Sequence, residues 1–290
     1  MSSSQDMVFT LYGDYIRHRG GEAWIGSLIE FMGLFGLSEQ AVRSTLSRMS
    51  RKGWLTRSRS GRHSFYSQTP KLLSLLEEGA QRIFHPRHDP WDGRWYLLTY
   101  SIPESKRALR RRLRKRLLWL GFGALHQATW ISPRDLRREV EEVVYSLSID
   151  PYVEFFTAKH RGFSSNQEIV AQCWNLKELN DYYAAFTTRY RPSFEAHQAR
   201  LMTGNELEPA ECFEQRFMLV HEYRSSAYVD PNLPPELLPD DWLGIGATHL
   251  FQEYHDLLSK GAEVFVDEVL AKAPSKEALP PSAAVQKEKE

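Results

Sequence analysis

A chain of 290 residues that is 42% hydrophobic and 26% charged has the composition of folded domains, which excludes wholesale disorder. No run approaches the roughly 18 apolar residues of a membrane span, the start MSSSQDM has no secretory pattern, and two cysteines, Cys173 and Cys212, are too few for a disulfide framework or a four-cysteine zinc site. The formal charge of +0 is unevenly spread, at net +4 over residues 1–90, +8 over 91–140 and −12 over 141–290. A cytoplasmic protein with a basic front that faces a polyanion and an acidic back for regulation, dimerisation or a small ligand is the expectation.

Residues 7–19 carry Val8, Leu11, Tyr12, Tyr15 and Ile16 at helical spacing, stopped by Gly20-Gly21. Residues 23–35 repeat the pattern with Trp24, Ile25, Leu28, Ile29 and Met32, up to Gly36. Ser38 is a good N-cap for a third helix with Glu39 in its first turn and Gly53 past its end. WLTRSRSGRHSFYS reads as two strands about a Ser60-Gly61 turn, and Pro70 opens a fourth helix. This order is the layout of a winged helix-turn-helix domain, assigned to residues 1–88.

On the third helix Val42, Thr45, Leu46 and Met49 fall at i, i+3, i+4 and i+7 and face a core. Opposite lie Gln40, Arg43, Ser44, Ser47, Arg48 and Arg51. From Gln40 to Leu76 there are eight basic residues and no acidic one. Arginine can bond guanine edges bidentately, glutamine adenine, and serine either a base edge or a phosphate. Arg43 and Arg48, with Gln40, Ser44 and Ser47, are therefore the candidate base readers. Arg51, Arg57, Arg59 and Arg62 are the candidate phosphate contacts, the last three with His63 at the ribbon. In a dimer, two such helices would enter successive major grooves about 34–36 Å apart.

HPRHDPWDG reads as a turn-rich connector, and its His85, His88 and Asp89 are incidental imidazoles and a carboxylate without a second ligand cluster; no metal site is expected. Residues 93–103 form a strand. SKRALRRRLRKRLLWLGF follows as a helix with Leu109, Leu113, Leu117 and Leu120 on one stripe. GALHQATWIS holds one or two strands, RDLRREVEEVVYSLS a helix, and YVEFFTAK a last strand. The sum is a ferredoxin-like βαββαβ unit over residues 89–163. Eight of the eleven residues from Lys106 to Arg116 are basic, consistent with either a polyanion contact or the wet face of a packed helix.

From about Asn166 the chain becomes helical and acidic, a helical C-terminal module over 164–272. NQEIVAQCWNLKELNDYYAAFTTRY is one long helix or a pair, and FEAHQARLM, PAECFEQRFMLVHEYRSSAY and HLFQEYHDLLSKGAEVFVDEVLA follow. The last eighteen residues, 273–290, read as a disordered tail.

Taken together, LYGDYIRHRGGEAWIGSL, AVRSTLSRMSRKGWL, GRHSFYS, WDGRWYLL, LLWLGFGAL and DPNLPPELLPDDWLG resemble the PaaX family, repressors of phenylacetate-degradation operons. The resemblance implies a homodimer on a double-stranded DNA operator, no cofactor, and release by an aryl-acetyl-CoA effector such as phenylacetyl-CoA. The middle segment also resembles the small ferredoxin-like ribonucleases of CRISPR systems, which carry a metal-holding aspartate at the end of their first strand. The matching run here is Tyr100-Ser101-Ile102-Pro103, and a serine lacks the anionic oxygens that magnesium prefers.

No Gly-rich phosphate loop, G-x-S-x-G elbow or H-E-x-x-H occurs, so no catalytic residues are assigned. The alternatives are a metal-dependent nuclease and an RNA- or protein-interaction module. An acyl-CoA pocket needs cations and an aromatic wall. In the acidic half the candidates are Trp174, Arg189, Arg191, Tyr223, Arg224 and Trp242, with Tyr182, Tyr183 and Arg216 beside them.

Overall fold

A computed structural model describes residues 3–86 and 89–275; His88 of the connector and positions 276–290 of the tail lie outside the described residues. In chain order the elements are α1 (Ser4–Asp14), β1 (Glu22–Trp24), α2 (Ile25–Gly33), α3 (Glu39–Arg51), β2 (Leu55–Ser60), β3 (His63–Gln68), α4 (Pro70–Phe84), β4 (Trp95–Tyr100), α5 (Arg107–Trp119), β5 (Gly123–His126), β6 (Thr129–Ser132), α6 (Arg137–Leu147), β7 (Val153–Ala158), α7 (Asn166–Cys173), α8 (Leu176–Met202), α9 (Pro209–Ala227) and α10 (Gly244–Ala271). This is a mixed α/β protein with two antiparallel sheets and a helical C-terminal region. Two compact units divide it: Met1–Glu78 with Glu206–Met218 and Leu258–Glu290, and Gly79–Asn205 with Leu219–Leu257.

In the first unit, α1 starts earlier than its apolar spacing indicates. The Ser3 hydroxyl accepts the Asp6 amide at 3.3 Å while Asp6 reaches back to Ser3, a reciprocal cap that starts the helix at Ser4. The segment expected to be helical from residue 23 begins instead as β1. Glu22, Ala23 and Trp24 pair with Ser67, Tyr66 and Phe65, so β3 sits between β1 and β2. Cross-strand pairing of Trp24 with Phe65 outcompetes the helical register there.

The core of this unit gathers Val42, Leu46 and Met49 of α3, Leu11 and Tyr12 of α1, and Phe31 and Met32 of α2, all buried. The Tyr12 hydroxyl donates to the Tyr66 carbonyl at 2.8 Å, tying α1 to β3. The first part of α9 and the last part of α10 belong to the same unit. Phe213 packs among Tyr15, Phe31, Phe35, Phe217 and Phe265, with Phe35 and Phe217 stacked at 4.3 Å. Such ring pairs add roughly 0.5–1.5 kcal/mol each beyond their buried area.

In the second unit the sheet order is β5-β6-β4-β7, antiparallel throughout. Helices α5 and α6 cover one face. Leu98, Tyr100 and Trp130 of the sheet pack there with Leu113, Leu117, Val140, Val143, Val144 and Leu147. On the other face Trp95 and Ile131 pack with Ile169 and Val170 of α7, Leu176, Leu233 and Leu237. The segment from Asn166 that admitted one helix or two is a pair: α7 ends at Cys173, and the Asn175 side chain caps α8 by accepting the Glu178 amide at 3.3 Å.

Candidate nucleic-acid interface

The surface of α3 is set by its two ends. At the start, the Ser38 hydroxyl accepts the Ala41 amide at 3.3 Å. At the end Gly53 adopts φ +70°. Its amide donates to the Ser50 carbonyl and that of Trp54 to the Met49 carbonyl, both at 3.0 Å. This pair of bonds closes the helix end and requires a left-handed residue, hence glycine. With both ends fixed, Val42, Thr45, Leu46 and Met49 point inward and are at most 1% exposed. Gln40, Arg43, Ser44, Ser47, Arg48 and Arg51 are all exposed on the rest of the helix.

Among these, Arg43 donates to the Glu39 carboxylate at 2.7 Å in an exposed pair. Arg48 donates to the Thr45 hydroxyl at 3.1 Å. Beside the helix, β2 and β3 form a two-residue hairpin in which Ser60 pairs with His63, and Gly61 at φ +53° makes the turn. Arg57 and Arg59 lie two residues apart on one face of β2 and are exposed, as is Arg62 in the turn. The Arg57 guanidinium donates to Ser64 at 2.8 Å. His63 is half-buried with its ring edge-on to Trp24. Helix and ribbon together present six arginines, with Glu39 the carboxylate facing them on α3.

The candidate ligand residues of the acidic half do not converge. Trp174 forms a wall of a cleft of about 630 Å³ between α7, the start of α8 and the 237–241 loop, lined also by Val170, Cys173, Lys177, Leu237 and Asp241. Its indole donates to the Gly121 carbonyl at 3.1 Å and stacks on Trp95, so the wall is fixed. Burial pushes the Cys173 thiol in this cleft up from 9.0 to about 11. Tyr223 and Trp242 border a separate void of about 30 Å³ with Tyr183, Asp230 and Asn232, room for a water. Arg189 is exposed and paired with Glu222 at 2.8 Å; Arg191 is exposed, and Arg224 half-buried. The Tyr182 hydroxyl donates to the Glu222 carbonyl. Arg216 is held at the other compact unit's core, within 3.0 Å of Asp14 and 3.1 Å of Glu263. Val170 and Asp241 carry no signal of this role in the sequence, and Cys173 stands out there only as one of two thiols; the Cys-Trp-Asn break between α7 and α8 was the signal available.

Other functional groups are placed as follows. Ser101 is exposed just after β4, and its amide donates to the Tyr152 carbonyl at 2.8 Å. Among the described residues, three or more His, Cys, Asp or Glu side chains do not gather in any one metal-holding group, and no helix is long and apolar enough to cross a membrane.

Fold and surface therefore define a mixed α/β protein that presents a basic helix-and-ribbon face in one unit and an apolar-walled cleft in the other. Residues 3–72 match the family described as PaaX-like protein, residues 88–170 the PaaX protein central Cas2-like domain, and residues 174–268 the PaaX-like protein C-terminal domain. The transcriptional repressor PaaX of Escherichia coli (strain K12) is 34% identical over 270 residues, spanning 92% of this chain and 84% of that protein. The chain belongs to the PaaX family. Its fold is also like that of the uncharacterized protein Rv0674 from Mycobacterium tuberculosis, at a TM-score of 0.59 and 21% identity over 92% of this chain and 98% of that one.

Proposed function

We propose that this chain is a homodimeric transcriptional repressor of a phenylacetate catabolic operon, released from its double-stranded DNA operator by an aryl-acetyl-CoA effector such as phenylacetyl-CoA. The observation that carries the reading is the exposed cation face of α3 and the β2–β3 ribbon. Sheet order β1-β3-β2 behind α1, α2 and α3 supports a winged helix-turn-helix in residues 1–88. Order β5-β6-β4-β7 with two helices on one face supports a ferredoxin-like unit in 89–163, followed by a helical module in 164–272. Arg43 and Arg48, with Gln40, Ser44 and Ser47, read bases in the major groove. Arg51, Arg57, Arg59 and Arg62 hold phosphates. A duplex DNA partner would fit a cytoplasmic location.

The Trp174 cleft is the proposed seat of the effector's aryl end. Its walls are apolar at Val170, Trp174, Leu176, Leu237 and Pro239. Lys177, a cation at its rim, is paired with Asp181 at 2.9 Å. The coenzyme's phosphates would need cations from outside this cleft, for which Arg189, Arg191 and Arg224 on α8 and α9 are the candidates although none of them lines it. An effector that binds the DNA-incompetent arrangement better by about 1–3 kcal/mol releases the operator roughly 5–150-fold. No reaction is assigned, because Ser101 offers a neutral hydroxyl where the nuclease relatives place a carboxylate.

A gel shift on the duplex upstream of the protein's own gene tests this. A retarded band that phenylacetyl-CoA abolishes and free phenylacetate leaves intact is expected. Magnesium-dependent cleavage of that duplex, stopped by a chelator, would instead favour an enzyme.

A further inference from the structure

Helix α5 carries a charge that the fold does not require. It has seven basic residues in thirteen and no acidic one. Helix α6 packs on the same sheet face and needs the same solvation, yet its eleven residues RREVEEVVYSL mix both signs, with Arg137 paired to Glu141 at 2.9 Å. Inward, α5 buries Leu113 and Leu117. Outward, Arg107, Arg111 and Lys115 follow one another at i, i+4 and i+8, exposed, with Arg112 and Arg114 exposed on either side.

Local anions do not balance this ridge. Glu104, just before the helix, is taken by Arg110 at 2.7 Å. Among the described residues Arg107, Arg111 and Lys115 have no ion pair. Like charges at i, i+4 cost an isolated helix about 0.2–0.5 kcal/mol per pair. Such a row is relieved by an anion that runs alongside it.

We infer that the outer ridge of α5, Arg107, Arg111 and Lys115, is a second, sequence-independent contact to the phosphates of duplex DNA. The inference rests on the repressor reading and adds to the α3 surface. The ridge spans about 12 Å at the helical rise of 1.5 Å per residue, a length over which a duplex presents about seven phosphates. Arginine dominates, and its planar fork suits phosphate oxygens. A lipid surface fits poorly, because an interfacial helix needs an apolar face toward the membrane and the apolar face of α5 is spent on the sheet. The ridge reads no base. It sets affinity and salt dependence, and α3 sets selectivity.

The test uses the full chain with Arg107→Ala, Arg111→Ala and Lys115→Ala combined, and fluorescence anisotropy from low to high salt. The probes are the upstream duplex, a scrambled duplex and a duplex RNA of the same length. The expected result is a fall of about 2–3 in the slope of log affinity against log salt on both DNA duplexes, with their affinity ratio unchanged. The charge-conserving Arg107→Lys, Arg111→Lys pair should keep the wild-type slope. Three results overturn the inference while leaving the repressor reading intact: an unchanged slope in the triple variant, a loss equally present in the lysine pair, or a loss seen with RNA alone. Absence of wild-type binding to any DNA duplex would overturn both.

Discussion

The guanidinium of Arg216 grips both carboxylate oxygens of Asp14 at 3.0 Å, with each side chain 5% exposed. One residue lies near the start of the chain and the other on α9, and Glu263 of α10 takes a third bond at 3.1 Å. Burial works against the Arg216 guanidinium, but the carboxylates of Asp14 and Glu263 raise its pKa above the ordinary value. A buried pair of this kind adds little over an apolar pair of equal volume, but removing one partner strands a charge.

Arg216→Ala should therefore cost about 3–5 kcal/mol in a urea unfolding curve. Replacing both partners, as Arg216→Met with Asp14→Leu, should recover most of that loss. If the single and double variants unfold at the same urea concentration, the pair is not the cause.

On the proposed reading face, Arg43 would have to leave Glu39 to reach a base. An exposed i, i+4 pair is worth about 0.3–0.5 kcal/mol, so its release is cheap. Glu39→Gln should leave the urea midpoint nearly unchanged and hold or improve duplex affinity, because in the proposed complex it removes a carboxylate that would face phosphates. A weaker complex would show that Glu39 positions Arg43 for binding.

The turn after α3 makes a backbone prediction. Gly53 sits at φ +70°, where a side chain costs about 1–2 kcal/mol. No heavy atom crowds an added methyl group there, so the conformational term stands alone. Gly53→Ala should lower stability by about that amount in thermal unfolding, while Gly33→Ala, inside α2 and without positive φ, should not.

The Trp174 cleft predicts a pH signature. Burial pushes the Cys173 thiol to about 11, and only the thiolate is alkylated. Alkylation at pH 7.5 should be slow and should rise about tenfold per pH unit up to that value. Because the folded-state pKa lies above the ordinary thiol value, the linked stability is full below pH 9.0 and is lost as pH rises toward about 11. Phenylacetyl-CoA should slow the alkylation further. Reaction at pH 7.5 as fast as a free thiol would contradict the buried geometry.

The α3 face was legible because three independent signals agree on it: the 3.6-residue apolar period, the Ser38 cap and the Gly53 stop. The order of strands and helices from β4 to β7 was legible from the alternation of their patterns. Strand β1 was not, since three residues are too few to show a period and their partners lie some forty positions away. Tertiary partnership was hidden for the same reason. Helical periodicity marks Phe213 and Phe217 as inward but cannot say that they meet Phe31 and Phe35. Arg216 read as a scarce cation in an acidic segment, and its partner Asp14 lies 202 residues away. The Trp174 cleft depends on a loop, 237–241, joined to α7 and α8 only by folding.

The central claim is that the cations of α3 and the adjoining ribbon grip duplex DNA, and titrating the upstream duplex with wild type and Arg43→Ala tests it most directly. A series of duplexes changed at one base pair each completes the experiment. The account predicts selective wild-type binding and, for the variant, a loss of about 1–3 kcal/mol together with indifference at one base position. Equal affinity and equal selectivity for the two proteins would contradict it.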